Sequence, residues 1–287
     1  MSNVIIIGKG PAGISASLYT VRAGIKTTII GKDGGALSKA PKIENYFGFE
    51  EPVIGKELLE SATAGAKRLG VDIIDGEVLS IEFQDKLTVI TKDGSYPTDC
   101  IIIATGTSRS TPNIKGIKEL DGHGVSYCAV CDAFFYRGLD IAVLGDGEYA
   151  LHEALSLKQT SGKVTILTNG KEPSFEVPEG IFVRTDPIES FEGVDSMERV
   201  IFKDGNSLPI AGLFIAVGVA GSTALANKIG AITENNSIST DENNATNVPG
   251  VFAAGDCTGG LLQISKAVGD GAVAGNAAVK FIRSLAK

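Results

Sequence analysis

Val4-Ile5-Ile6-Ile7-Gly8-Lys9-Gly10-Pro11-Ala12-Gly13 is the stretch that decides the fold. Four β-branched apolar residues in a row read as a strand buried on both faces, the habit of parallel sheets. Each glycine that follows has a separate reason. Gly8 permits a tight turn, Gly10 lets the backbone approach a pyrophosphate, and Gly13 allows close helix–strand packing. A helix is expected from Ile14 to about Ala23, with its N-terminus facing the phosphates, and Thr27–Ile30 reads as the next strand. The unit is therefore βαβ. The acid that ordinarily ends the second strand is missing, because Gly31 and Lys32 hold that place and Asp33 comes after it.

The same pattern returns about one domain length later. Ile141–Leu144 is a strand, Gly145-Asp146-Gly147-Glu148-Tyr149-Ala150 a turn, Leu151 to about Gln159 a helix, and Val164–Leu167 a further strand. Cys100–Ile103 reads as a buried strand running into Ala104-Thr105-Gly106, and Ser108–Gly116 as a crossover. Asn243–Pro249 is a polar connector, Val251–Asp256 a strand and turn, and Gln263–Ser284 a glycine- and alanine-rich helix that returns to the first unit. These readings give an α/β fold class of two Rossmann-like dinucleotide-binding domains, the second inserted into the first. The expected boundaries are residues 1–112 and 246–287 for the split domain and 113–245 for the insert. Asp256, after an apolar strand, can accept a bond from a ribityl or ribose hydroxyl, or can serve as a cap or turn residue.

Composition agrees. A chain of 287 residues suggests about two domains, and 36 glycines without a short repeat imply many tight turns. The net charge of −8 argues against non-specific nucleic-acid binding, which needs a basic surface. The run Val4–Ile7 is too short for a signal peptide or a membrane span, so no membrane partner and a cytoplasmic location are expected. Four cysteines in such a chain are an unlikely source of two structural disulfides.

Cys128-Ala129-Val130-Cys131 has the spacing of a redox pair. Zinc would need two further ligands. Cys100 and Cys257 sit in or beside apolar strands, and His123 and His152 lack ligand spacing, so no metal is expected. Cys128 and Cys131 are thus the candidate catalytic residues. Asp132, next in line, can shuttle the proton of thiol–disulfide exchange or cap a helix. Phe134-Phe135-Tyr136 is either an exposed apolar surface for a protein partner or part of a core.

The chain resembles the low-molecular-weight thioredoxin reductases nearly end to end. The resemblance is carried by Gly8–Gly13, Gly34-Gly35-Ala36-Leu37, Ile43-Glu44-Asn45-Tyr46, Ile103–Gly106, Cys128-x-x-Cys131-Asp132 with Phe134–Arg137, and Phe252–Asp256. It implies FAD in the split domain, held around Gly8, Gly10, Pro11, Ala12, Gly13, Lys32, Ala36, Leu37, Asn45, Val78, Ala104, Thr105, Gly106, Asp256, Gln263 and Ile264. It also implies that Cys131 faces the flavin, that Cys128 exchanges with thioredoxin, and that the protein is a homodimer. Ala36 stands where the family usually has glutamine, and Leu262 where arginine commonly precedes the equivalent of Gln263.

A further departure concerns the electron donor. Members that use NADPH carry an arginine-rich stretch after the second domain's second strand, to grip the 2′-phosphate. Here that stretch is Thr168-Asn169-Gly170-Lys171-Glu172-Pro173-Ser174, and no arginine lies between Arg137 and Arg184. Asp146 and Glu148 add negative charge where pyrophosphate would sit. The chain therefore resembles the ferredoxin-dependent flavin thioredoxin reductases, which lack these motifs, and reduced ferredoxin is the expected donor. The alternatives are a reductase using NADPH or NADH through an atypical site, an FAD dithiol oxidase using oxygen, and a non-enzymatic redox sensor.

Overall fold

The computed structural model describes residues 2–83, 85–106, 112–127, 129–218 and 220–285, with the side chains of Val130 and Cys131 outside that description. The chain divides into two compact units: Met1–Ser108 with Gly221–Lys287, and Arg109–Ala220.

The first unit begins with β1 (Asn3–Ile7), α1 (Pro11–Arg22), β2 (Lys26–Gly31), α2 (Gly55–Arg68) and β3 (Asp72–Asp75). An antiparallel sheet follows, made of β4 (Val78–Phe83), β5 (Leu87–Thr91) and β6 (Gly94–Thr98), and then β7 (Cys100–Ile103). The second unit holds β8 (Val125–Ser126), α3 (Ala129–Asp132), β9 (Ile141–Leu144), α4 (Glu148–Lys158), β10 (Val164–Leu167) and β11 (Phe182–Arg184). It continues with β12 (Ile188–Glu192), β13 (Arg199–Phe202), β14 (Ser207–Pro209) and β15 (Gly212–Ile215). The return to the first unit runs through α5 (Ser222–Lys228), β16 (Thr233–Glu234), β17 (Ser237–Ile238), β18 (Val251–Ala253) and α6 (Ile264–Ser284).

Each unit is organised on a five-stranded parallel sheet, ordered β18-β7-β1-β2-β3 in the first and β11-β10-β9-β15-β8 in the second. The apolar strands β7 and β9 are inner ones. Every residue of β7 and of β9 is buried, as expected where both sheet faces are covered. In the first unit α6 lies against α1 at close range. A Cβ on Gly271 would strike the Ala12 carbonyl, and one on Gly275 would meet the Ala16 carbonyl, so the small residues set the approach.

Two expectations are revised. α1 starts at Pro11 rather than Ile14, because proline at the first helical position has a preset φ and no amide to leave unpaired. The return crossing falls at Ala220/Gly221, not at 245/246. The cause is α5, which packs into the first unit: Leu225 and Ala226 are buried and Lys228 Nζ donates to the Leu79 carbonyl at 3.4 Å. The polar run Asn243–Pro249 is an internal loop of that unit, pinned where Ala253 N donates to Asn244 O at 3.0 Å.

Candidate functional site

In the first unit, Gly8–Gly13, Lys32 and Ala104–Gly106 follow the C-terminal ends of β1, β2 and β7. Gly8 has φ +111°, and a Cβ there would collide with the Ala104 carbonyl, so the glycine turn and Ala104-Thr105-Gly106 lie side by side. Pro11 and Ala12 open α1. Its first intrahelical donor is Ile14 N, bonded to Gly10 O at 3.0 Å, which leaves the preceding amides for a ligand. A Cβ on Gly10 would meet no heavy atom within 4 Å, so the backbone there is open to a close-approaching group. Gly13 abuts the Gly8 carbonyl and closes the turn.

The other members lie elsewhere in the same unit. Gly255, which precedes Asp256, packs on Ala12, and a Cβ on it would lie 2.9 Å from that of Ala12. Asn45 Nδ2 donates to Gln263 Oε1 at 2.9 Å, and Gln263 precedes Ile264, the first residue of α6, without a side-chain bond to the helix amides. Ala36 and Leu37 begin a short 3-10 turn in which Leu37 is buried, and Val78 starts β4. Thr105 Oγ1 is buried with no hydrogen-bond partner among the described residues. An orphaned hydroxyl of this kind calls for a ligand to complete it. Burial raises the Asp256 carboxyl above the ordinary 3.8, with Asp270 adding to the rise and Lys266 opposing it.

Lys266 and Asp270 were not singled out from the sequence, yet they hold the Asp256 loop. Lys266 Nζ donates to Gly255 O (2.9 Å), Thr258 Oγ1 (2.8 Å) and Gly259 O (2.8 Å), and pairs with Asp270 Oδ2 at 2.7 Å. Asp270 Oδ2 also accepts from Gly255 N at 3.1 Å. The i,i+4 spacing on a helix was the available signal. Cys257, inside the same loop, is buried, its Sγ donates to Ile103 O and Ala254 O at 3.3 Å each, and burial pushes its pKa up to about 12. Cys100 is raised further by burial in β7. Both thiols are inert packing groups at neutral pH.

In the second unit Cys128 lies outside the described residues, as does the Cys131 side chain, while the Cys131 backbone belongs to α3. Asp132 does not cap the 3-10 turn that follows it; its Oδ2 accepts from Ser126 Oγ at 2.7 Å. The α3 N-terminus is tied by Ala129 N, which donates to Oε2 of the buried Glu153 on α4 at 3.3 Å. The aromatic run divides. Phe134 and Phe135 are 75% and 73% exposed, whereas Tyr136 packs edge-on against Phe214 with centroids 5.2 Å apart.

The second glycine turn differs from the first. Asp146 Oδ2 pairs with Lys171 Nζ at 3.0 Å. Ser174 donates to the Asp146 carbonyl twice, from N at 2.9 Å and from Oγ at 3.0 Å. A Cβ on Gly147 would point at Ser174 Oγ, 3.9 Å away, and at Gly218 O, 3.6 Å away. Segment 168–174 therefore folds back over the turn.

A family profile for pyridine nucleotide-disulphide oxidoreductases matches residues 2–271. The thioredoxin reductase of Listeria innocua is 36% identical, over 99% of this chain and 94% of that one. The chain belongs to the thioredoxin reductase family. It is a flavin-dependent oxidoreductase acting on a disulfide, and its cofactor is FAD. The open Gly10 cradle and the orphaned Thr105 hydroxyl fit that cofactor. Two solved structures add detail. The atypical thioredoxin reductase TRi from Desulfovibrio vulgaris Hildenborough is 41% identical with a TM-score of 0.93, covering 99% of each chain. A ferredoxin-flavin thioredoxin reductase from Clostridium acetobutylicum is 28% identical with a TM-score of 0.69, covering 98% of each.

Proposed function

We propose that this chain reduces thioredoxin through the Cys128–Cys131 disulfide and takes its electrons from reduced ferredoxin rather than from a pyridine nucleotide. One contrast carries the reading: a Cβ on Gly10 would meet nothing within 4 Å, whereas one on Gly147 would meet Gly218 O at 3.6 Å and Ser174 Oγ at 3.9 Å, in a turn that Ser174 ties through the Asp146 carbonyl. Two Ser174 bonds to the Asp146 carbonyl and the half-exposed Lys171–Asp146 pair hold segment 168–174 against the second turn. Lys171, the sole cation of the segment, pairs with Asp146, and a lone ammonium lacks the bidentate fork that suits a 2′-phosphate. The likeness to the Clostridium ferredoxin-flavin enzyme supports the protein donor.

When bound, FAD accepts electrons singly and supplies them as a pair to a disulfide. The chain's own residues then have divided tasks. Two electrons and two protons convert the Cys128–Cys131 disulfide to a dithiol. The Cys128 thiolate attacks the partner disulfide and forms a mixed disulfide, and the Cys131 thiolate displaces the reduced partner and restores the starting bond. Asp132, held by Ser126, is the local group able to carry the proton. Phe134 and Phe135 present the apolar contact for thioredoxin. The protein acts as a cytoplasmic homodimer. Among the described residues no helix is long and apolar enough to cross a membrane.

The test is anaerobic mixing of the purified flavoprotein with NADPH, NADH or reduced ferredoxin, followed by flavin absorbance. Bleaching by ferredoxin alone is expected, with thioredoxin then reduced. Rapid bleaching by either nucleotide overturns the donor assignment. Oxygen uptake with small dithiols, without thioredoxin reduction, would identify a dithiol oxidase instead.

A further inference from the structure

β2 ends at Gly31 and is followed by Lys32, so the acid that usually meets an adenosine ribose is absent from its ordinary place. The neighbouring strand supplies one. β3 runs parallel to β2, with Gly31 opposite Asp75, and Gly76 N donates to Gly31 O at 3.2 Å. Glu77 is the next residue. It follows β3 at the same C-terminal end of the sheet at which β1, two strands away, passes into the Gly8–Gly13 turn, since Ile7 lies opposite Ile30 and Gly31 opposite Asp75.

The two oxygens of Glu77 have different surroundings. Oε2 accepts from Lys32 Nζ at 2.6 Å. The Glu77 side chain is 11% exposed, against 57% for Lys32, so the carboxylate is the anchored member of the pair. Oε1 is buried and has no hydrogen-bond partner among the described residues. A carboxylate oxygen removed from water and left unbonded is costly, and folded proteins keep such an atom where something else completes it. Lys32 offsets the charge, so the remaining need of Oε1 is for a neutral donor. A hydroxyl suits it, whereas a phosphate would be repelled.

We propose that Glu77 Oε1 accepts a hydrogen bond from an adenosine ribose hydroxyl of bound FAD, and that Lys32 positions Glu77 for this. The assignment rests on FAD occupying the Gly8–Gly13 turn. Glu77 thus takes over, from the loop after β3, the part ordinarily played at the end of β2. Lys32 serves the cofactor through Glu77.

The experiment measures the dissociation constants of the deflavinated full chain for FAD, for FMN and for FAD with a 2′,3′-dideoxy adenosine ribose, by flavin fluorescence. A hydrogen bond to a charged group corresponds to about a tenfold change or more. FAD binding is expected to weaken at least about tenfold in Glu77→Ala and less in Glu77→Gln, which keeps a carbonyl acceptor. FMN, which has no adenosine, is expected to bind both variants as it binds the parent. The parent chain is expected to bind dideoxy-FAD about tenfold more weakly than FAD, and Glu77→Ala to show no such difference. Equal binding of FAD and dideoxy-FAD by the parent overturns the proposal without any variant. So does an equal loss of FAD and FMN in Glu77→Ala, which would mark a residue that merely holds the fold. A parent chain that binds FMN as tightly as FAD would instead remove the adenosine site itself.

Discussion

Asp256 is a carboxylate that the fold holds at a cost. Burial raises its native pKa above the 3.8 it has when unfolded, so as pH rises the unfolded chain gives up this proton first. The unfolded state then binds fewer protons than the native one, and stability falls as pH climbs through the window just above 3.8. Asp256→Asn is therefore expected to raise the melting temperature of the cofactor-free protein at pH 7 and to flatten that acid-side slope, while weakening FAD binding. Thermal scans of the apoprotein against pH check the first part and FAD titration the second. A melting temperature unchanged at pH 7 would remove the burial penalty from the account. At the same scale, Cys131→Ser is expected to leave a stable mixed disulfide between Cys128 and thioredoxin, and Cys128→Ser to trap none. Mass spectrometry of the trapped peptide decides it, and a link through any other sulfur refutes the division of roles. The pair is proposed from its spacing and the family likeness, since two residues between cysteines can bring the sulfurs within disulfide reach. Glu77 was not legible in the same way, and Asp146 was read only as a negative charge, since the Lys171 partner that offsets it lies far along the chain.

α6 shows how an element's sequence can be read correctly in type and still hide its purpose. Its glycine and alanine content suggested a returning helix, and the structure supplies the reason: Gly271 and Gly275 let it settle on the backbone of α1. Gly271→Val is expected to destabilise the protein by about 1–3 kcal/mol through overpacking, and to hasten FAD release because the displaced atoms belong to Ala12. Gly269, on the exposed face of the same helix, has no heavy atom within 4 Å of its would-be Cβ. Gly269→Ala is expected to stabilise by up to about 1 kcal/mol through helix propensity. Melting temperatures that move in opposite directions confirm the pair; a shared direction refutes it. The strap over the second glycine turn is an element of another kind. The sequence pointed to it through missing arginines, but its closure depends on Ser174 reaching back to Asp146.

Across the whole molecule, the parallel α/β plan and the insertion of one nucleotide-type unit into another follow from local pattern. Runs such as Val4–Ile7, Cys100–Ile103 and Ile141–Leu144 are short, apolar without alternation, rich in β-branched residues and followed closely by glycine, the habit of a strand covered on both faces. The glycine turns, the cysteine pair and the family likeness are equally local, so they were open to reading before any coordinates. The boundary at Gly221 was not, because nothing in the composition of α5 tells which unit it joins; Lys228 reaching the Leu79 carbonyl does. The same holds for the clamp of Lys266 and Asp270, for the buried oxygen of Glu77, and for the difference between an open Gly10 and a Gly147 that faces Gly218 O and Ser174 Oγ. Short-range patterns set backbone direction and which faces are apolar, and those survive in a linear string. Which donor meets which acceptor, and which cradle stays open, are set by approaches between residues far apart in the chain, and only the folded molecule brings them within bonding distance.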